Sequence, residues 1–147
     1  SWYARSPLFG KQRSIHLAVD IWAEEDTAIY APIDGKIHSF ADNAGFGNYG
    51  PTLILEHNFE EQIFYTLYGH LSRKNISNWI KGAEIQKGEQ IGNLGMMSEN
   101  GDWPAHLHIQ IIKDLQGMEG DYPGVSSIDN VQFYRLNCID PKFLLRF

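Results

Sequence analysis

Ile15-His16-Leu17-Ala18-Val19-Asp20-Ile21-Trp22 sets apolar residues at 15, 17, 19 and 21 against His16, Ala18, Asp20 and Trp22. That alternation is the period-2 signature of a half-buried strand. An even separation keeps side chains on one face of a strand, so His16 and Asp20 are expected to point together. The pattern recurs at His106-Leu107-His108-Ile109-Gln110-Ile111, where Leu107, Ile109 and Ile111 oppose His106, His108 and Gln110. A single polar face therefore carries both histidine clusters.

Outward from these two stretches the sequence continues to read as strand. Residues 52–56 and 62–68 are β-branched and aromatic runs joined by a short polar link, which predicts a hairpin. Residues 31–37 and 85–92 are short strands punctuated by glycine turns. The best helix candidate is 140–145, where Asp140 can cap and Pro141 occupies the first helical position. Residues 41–51, 96–105 and 116–130 form long loops, which on a small β scaffold usually shape a binding site. The expected fold is mainly β, an antiparallel sandwich or partly open barrel with long loops around an open groove.

The chain has 147 residues, of which 43% are hydrophobic and 13% aromatic, enough for one core without staples. We expect a single domain over 1–147, excised from a longer protein because it starts at Ser1 and not at Met. Its formal net charge of -6 comes with no basic block, so nucleic acid is not an expected partner. No apolar stretch is long enough to span a bilayer, and no signal peptide is visible. Cys138 is the one cysteine, which excludes an intrachain disulfide; it is expected to be a small buried residue.

Imidazole nitrogens and a carboxylate suit zinc, and catalytic zinc sites use three protein ligands with a fourth position open. His16, Asp20 and one of the pair His106/His108 meet that count. His70, in Tyr68-Gly69-His70-Leu71 at a strand end, can reach into the same cleft. It and the spare histidine of the pair are then available to handle protons or steady an oxyanion. His57 and His38 have no such company; the first is expected to be structural and the second a surface residue.

His16-Leu-Ala-Val-Asp20, Tyr68-Gly-His70-Leu and His106-Leu-His108 resemble the three signatures of the M23 zinc metallopeptidases, the lysostaphin and LytM type. Ala31-Pro-Ile-Asp-Gly35 and Lys87-Gly-Glu-Gln-Ile-Gly92 are similar to that family's scaffold, so the resemblance runs from about His16 to Gln110. It implies a fold of the duplicated hybrid motif type and one zinc per chain, on His16, Asp20 and His108. His70 and His106 would be the catalytic histidines. Ala18 stands where the family commonly has glycine, and the tail after Gly120 is less typical. The implied reaction is hydrolysis of peptide cross-bridges, peptidoglycan-type or glycine-containing, by a metal-activated water. Phe46, Tyr49, Trp103 and Tyr122 are candidate groove walls, with Asn48 a polar contact. The resemblance implies the cell envelope or secretion, while the lack of a visible signal peptide leaves the cytoplasm open. Additional domains in the full-length protein are compatible with all of this.

Two other classes compete. A non-catalytic M23-like adaptor would bind a partner without hydrolysis, although such domains generally lose ligands and all five positions are intact here. A histidine phosphocarrier of the glucose-specific IIA type would need two facing histidines and no metal, leaving His106-x-His108 unexplained.

Overall fold

In the computed structural model the described residues are 15–16, 18–126 and 137–139, with backbone alone at 15–16 and 125–126. Eleven strands lie within them: β1 Ile15–His16, β2 Val19–Trp22, β3 Ala28–Tyr30, β4 Gly35–Asn43, β5 Gly50–Phe59, β6 Gln62–Gly69, β7 Glu84–Ile85, β8 Gln90–Asn93, β9 His106–Ile112, β10 Val125–Ser126 and β11 Cys138–Ile139. A 3₁₀ helix spans Arg73–Asn78. The helix expected over 140–145 lies outside the described residues, as does the last part of the 116–130 loop.

The main sheet runs in the order β11-β9-β6-β5-β4-β7, with β2 also paired to β9, and every pairing is antiparallel. Two small sheets, β3-β8 and β1-β10, complete the architecture. It is the expected mainly β, antiparallel fold, and it is not closed into a barrel.

The expected hairpin is β5 and β6, paired from Phe59↔Gln62 down to Leu53↔Tyr68. Its two-residue turn is Glu60-Glu61, with φ of 51° and 67°. Both central residues are thus left-handed, as a type I′ turn demands, and the right-handed twist of the flanking strands favours that turn.

Strand alternation divides the apolar residues between the two faces of the sheet. Leu53, Leu55, Tyr68, Leu107 and Ile109 join Ala31, Ile85 and Ile91 in the larger cluster, against which Ile29 packs. Ile54, Leu67 and Ile112 join Leu115 and Tyr122 in a second cluster on the opposite face. Strand β9 is buried along its whole length, because β6 flanks one edge, β2 and β11 the other, and both faces are covered. The polar face read from its alternation is therefore an interior face.

Residues 15–22 differ from expectation, since they do not form one strand. The chain bends at Ala18. Strand β1 pairs with β10, and β2 pairs with β9. A change of pairing partner interrupts the ladder, which alternation alone does not reveal. Cys138 is half-buried on β11, where its thiol accepts a hydrogen bond from Gln110.

Candidate active site

Register assembles the site. Asp20 on β2 lies opposite His108 on β9, and Trp22 lies opposite His106. On the other edge of β9, His108 lies opposite Gly69 of β6, and His70 follows directly at the strand end. Gly69 keeps this row open: a Cβ there would come 3.1 Å from the Tyr49 ring and 3.5 Å from the His108 Cβ. The histidine rings gather closely, with the His70 centroid 4.3 Å from that of His106 and 6.1 Å from that of His108.

His70 has a φ of 63°, an uncommon left-handed conformation for a non-glycine residue. Three hydrogen bonds hold it there. Its N–H donates to Tyr49 O at 2.8 Å, its carbonyl accepts from Gly95 N at 2.9 Å, and its Nδ1 bonds Asn100 O at 2.8 Å. Such conformations persist where the surroundings over-determine them. Here the surroundings are the loops on either side, themselves joined by Gly47 N to Gly101 O and by Trp103 Nε1 to Asn48 O.

The hydrogen-bond partners fix the tautomers. A carbonyl oxygen only accepts, so His70 Nδ1 donates to Asn100 O and His106 Nδ1 donates to Pro104 O at 2.7 Å. In the neutral rings Nε2 is then the lone-pair nitrogen. His106 Nε2 is buried with no hydrogen-bond partner among the described residues, 3.8 Å from Asp20 Oδ1. His108 is turned the other way: its Nε2 meets Gln110 Oε1 at 3.1 Å, and its Nδ1 faces Asp20 Oδ1 at 3.5 Å.

Burial favours the neutral forms of His70 and His106. It holds His70 well below the ordinary histidine range, and the nearby His106 and His108 push in the same direction. Burial likewise lowers His106, against the raising effects of the Pro104 carbonyl and Asp20. Neutral imidazoles are the form needed both for metal ligation and for accepting a proton.

Two of the three expected ligands, Asp20 and His108, thus meet across the β2–β9 ladder. The third, His16, has its backbone on β1, and its side chain is not among the described ones. Among the described residues no trio of His, Cys, Asp or Glu side chains forms a complete metal cage. The partial set nonetheless fits a divalent metal in its chemistry: a carboxylate, an imidazole nitrogen turned toward it, and the buried His106 Nε2 beside them.

The candidate groove walls divide. Phe46 is exposed on its loop, as is Asn48, whose side chain accepts from Tyr49 N. Trp103 is only 3% exposed and packs 5.8 Å from His70 and 5.9 Å from His106, ring to ring. Trp103 thus backs the histidines, while Tyr122, equally buried, packs with Ile54, Leu67, Ile112 and Leu115, and neither ring faces solvent. Tyr49 is half-buried, its ring 4.8 Å from that of His108 and its hydroxyl donating to Tyr122 O at 2.8 Å. It ties the 49 loop to residue 122 beside His108. His57 is buried and structural as expected, bonded to Asp34 O and to Thr66. His38 is half-buried against Ser39 and the Tyr65 ring, so it is not the plain surface residue expected.

Three contributors escaped the sequence reading. Trp22 is 56% exposed and lies over His106, with ring centroids 4.5 Å apart. Gly124 leaves the room that Tyr49 and His108 occupy, since a Cβ there would collide with the Tyr49 hydroxyl and come 2.8 Å from His108 Cε1. Gln110 and Trp22 could have been found, because each is the next residue on a site face, after His106/His108 and after His16/Asp20; Gly124 left no comparable signal.

Comparison with known proteins identifies the fold and the family. The catalytic domain of the antimicrobial peptidase lysostaphin from Staphylococcus simulans superposes with a TM-score of 0.58 at 26% identity, covering 91% of this chain and 81% of that one. A catalytic-domain variant of the prophage-encoded M23 protein EnpA from Enterococcus faecalis shares the fold, with a TM-score of 0.54 at 20% identity over 82% of this chain and 84% of its own. An uncharacterized metalloprotease of Haemophilus influenzae is 30% identical over 134 residues, 88% of this chain; the chain spans only 26% of that relative's length. The family model of Peptidase family M23 matches residues 14–120, a span that takes in His16, Asp20, His70, His106 and His108 alike, so the chain belongs to peptidase family M23.

Proposed function

We propose that this domain is a zinc-dependent endopeptidase that hydrolyses short peptide cross-bridges, peptidoglycan-type or glycine-containing. The observation that carries the reading is the buried His106 Nε2, a lone pair 3.8 Å from Asp20 Oδ1 with its ring anchored from behind by Pro104 O. A buried nitrogen left without a hydrogen bond costs stability, and function is one reason to retain it. The metalloprotease relative and the lysostaphin likeness support the same reading.

His16, Asp20 and His108 would hold the metal, and one zinc per chain suits that donor set. Bound there, zinc supplies Lewis acidity, which activates water and polarises the scissile carbonyl. The chain's own residues do the rest. The lone pair of His106 Nε2 or His70 Nε2 accepts the proton of the attacking water, and burial keeps both rings neutral for that task. The protonated ring then stabilises the developing oxyanion and returns the proton to the leaving amine. Pro104 O and Asn100 O hold the two rings in register throughout. The exposed face of Trp22 offers the substrate an apolar surface beside His106.

A wall-type substrate would set the reaction in the cell envelope or outside the cell. Further domains, suggested by the much longer relative, would determine targeting. Digestion of purified peptidoglycans, with mass analysis of new amino termini and metal analysis of the same protein, tests the reading. Cleavage at one bridge type by a zinc-loaded protein is expected. Intact walls of every type, with zinc bound, would replace it with the adaptor reading.

A further inference from the structure

We infer that Gln110 is a positioning residue that sets the tautomer of His108 and so selects which of its nitrogens faces Asp20. Gln110 is completely buried on β9, two residues beyond His108 and on the same face. The two ends of its amide have different partners. Gln110 Nε2 donates to Pro123 O at 3.0 Å and to Cys138 Sγ at 3.3 Å. Because a carbonyl oxygen cannot donate, the –NH₂ must lie on the Pro123 side, which turns Oε1 toward His108. Oε1 only accepts, so His108 Nε2 is the protonated nitrogen of the neutral ring, and the bond is 3.1 Å. The lone pair then sits on Nδ1, facing Asp20 Oδ1 at 3.5 Å.

His106 makes the contrast. Its Nδ1 is the protonated nitrogen, because its partner is the Pro104 carbonyl. Two histidines on one strand face thus present opposite nitrogens to the same carboxylate, and the difference lies in what stands behind each ring. For His108 that backing is one amide, held in turn by the 123 carbonyl and the 138 thiol. A ligating histidine commonly owes its orientation and basicity to such a partner, whose loss weakens metal affinity by about 10–100-fold.

The consequence for metal affinity rests on the zinc reading above, whereas the tautomer does not. Long-range ¹H–¹⁵N spectra of the metal-free protein, at a pH well above the ordinary histidine range, report the tautomer directly. The expected result is an Nε2–H His108 beside an Nδ1–H His106. Zinc affinity by chelator competition is then compared for the wild type, Gln110→Met, which keeps the volume and loses the amide, and Gln110→Glu, which keeps an acceptor.

Gln110→Met is expected to lose the single His108 tautomer and to weaken zinc by about 10–100-fold. Gln110→Glu, which keeps an acceptor toward His108 but loses the donor to Pro123 O, is expected to keep the Nε2–H tautomer. A wild-type His108 protonated at Nδ1 overturns the inference whether or not either variant folds. So does a Gln110→Met protein with unchanged tautomer and affinity. A wild-type protein with the expected tautomer and no zinc affinity would instead sink the zinc reading and leave the role of Gln110 standing.

Discussion

Trp22 lies directly across the β2–β9 ladder from His106, its indole centroid 4.5 Å from the imidazole, and 56% of it remains open to solvent. A large aromatic side chain so exposed beside a buried histidine contributes little to the core and offers a flat apolar surface at the site. Replacing it tests substrate contact more than folding. Trp22→Ala is expected to cost under about 1 kcal/mol of stability, as surface substitutions do. We expect it to lower kcat/KM by roughly 5–30-fold, the equivalent of about 1–2 kcal/mol of lost contact. Steady-state kinetics with a bridge peptide, beside thermal melts, checks both numbers; unchanged kinetics would leave the indole as a shield for His106 only.

His57 gives a stability signature separate from catalysis. Burial holds its pKa below the ordinary histidine value, against the raising influence of the Asp34 carbonyl and Glu56. The folded state therefore favours the neutral ring. The unfolded chain takes up a proton below about pH 6.5. The unfolded state binds more protons, so stability is fully present above that pH and declines as pH falls below it. His57→Gln, which disturbs the bonds to Asp34 O and Thr66, is expected to cost about 1–3 kcal/mol near pH 8. The gap should narrow toward about pH 5, because the variant lacks the titrating ring while the other histidines are common to both. A gap constant with pH in urea melts would mean that the folded state also protonates His57.

Much of this architecture could be read from alternation, because alternation records which face a strand buries. The strands of the β5–β6 hairpin and the shared face of His106 and His108 follow from period 2. What alternation cannot carry is pairing. The break at Ala18 between β1 and β2, and the burial of both faces of β9, depend on which strands become neighbours. Composition was equally blind to depth. Trp103 and Trp22 are the same residue type on the same site, yet one is buried behind the histidines and the other stands in solvent. The left-handed His70 is held by Tyr49, Gly95 and Asn100, residues distant in sequence, so no local pattern announces it.

The hairpin turn is an opportunity that local sequence left unused. Glu60 and Glu61 adopt φ of 51° and 67°, and both are exposed. L-residues other than Gly, Asn and Asp pay roughly 1 kcal/mol for that region. Substituting Asn-Gly, the pair best suited to a type I′ turn, removes the strain and two like charges at adjacent positions. Stability is expected to rise by about 0.5–1.5 kcal/mol. The gain should show as a higher midpoint in denaturant with the same slope. No gain would indicate that the glutamates relieve the turn by contacts of their own.

The final test separates ligands from proton carriers. His108 turns Nδ1 to Asp20 while Gln110 occupies its other nitrogen, and the His106 lone pair lies slightly farther from the same oxygen, at 3.8 against 3.5 Å. On the proposed assignment His16→Ala, Asp20→Ala and His108→Ala each remove one of three protein ligands, and each should lose zinc. His106→Ala and His70→Ala should keep it and still lose activity by about 10²–10⁴-fold, the usual size of a general acid–base contribution. Metal content and turnover must be read on the same samples, because activity alone does not distinguish the two kinds of loss. Zinc lost by His106→Ala and kept by His108→Ala would reverse the pair. Full activity in His70→Ala would reduce His70 to a structural residue at the strand end, its left-handed backbone serving only to join β6 to the loop beyond.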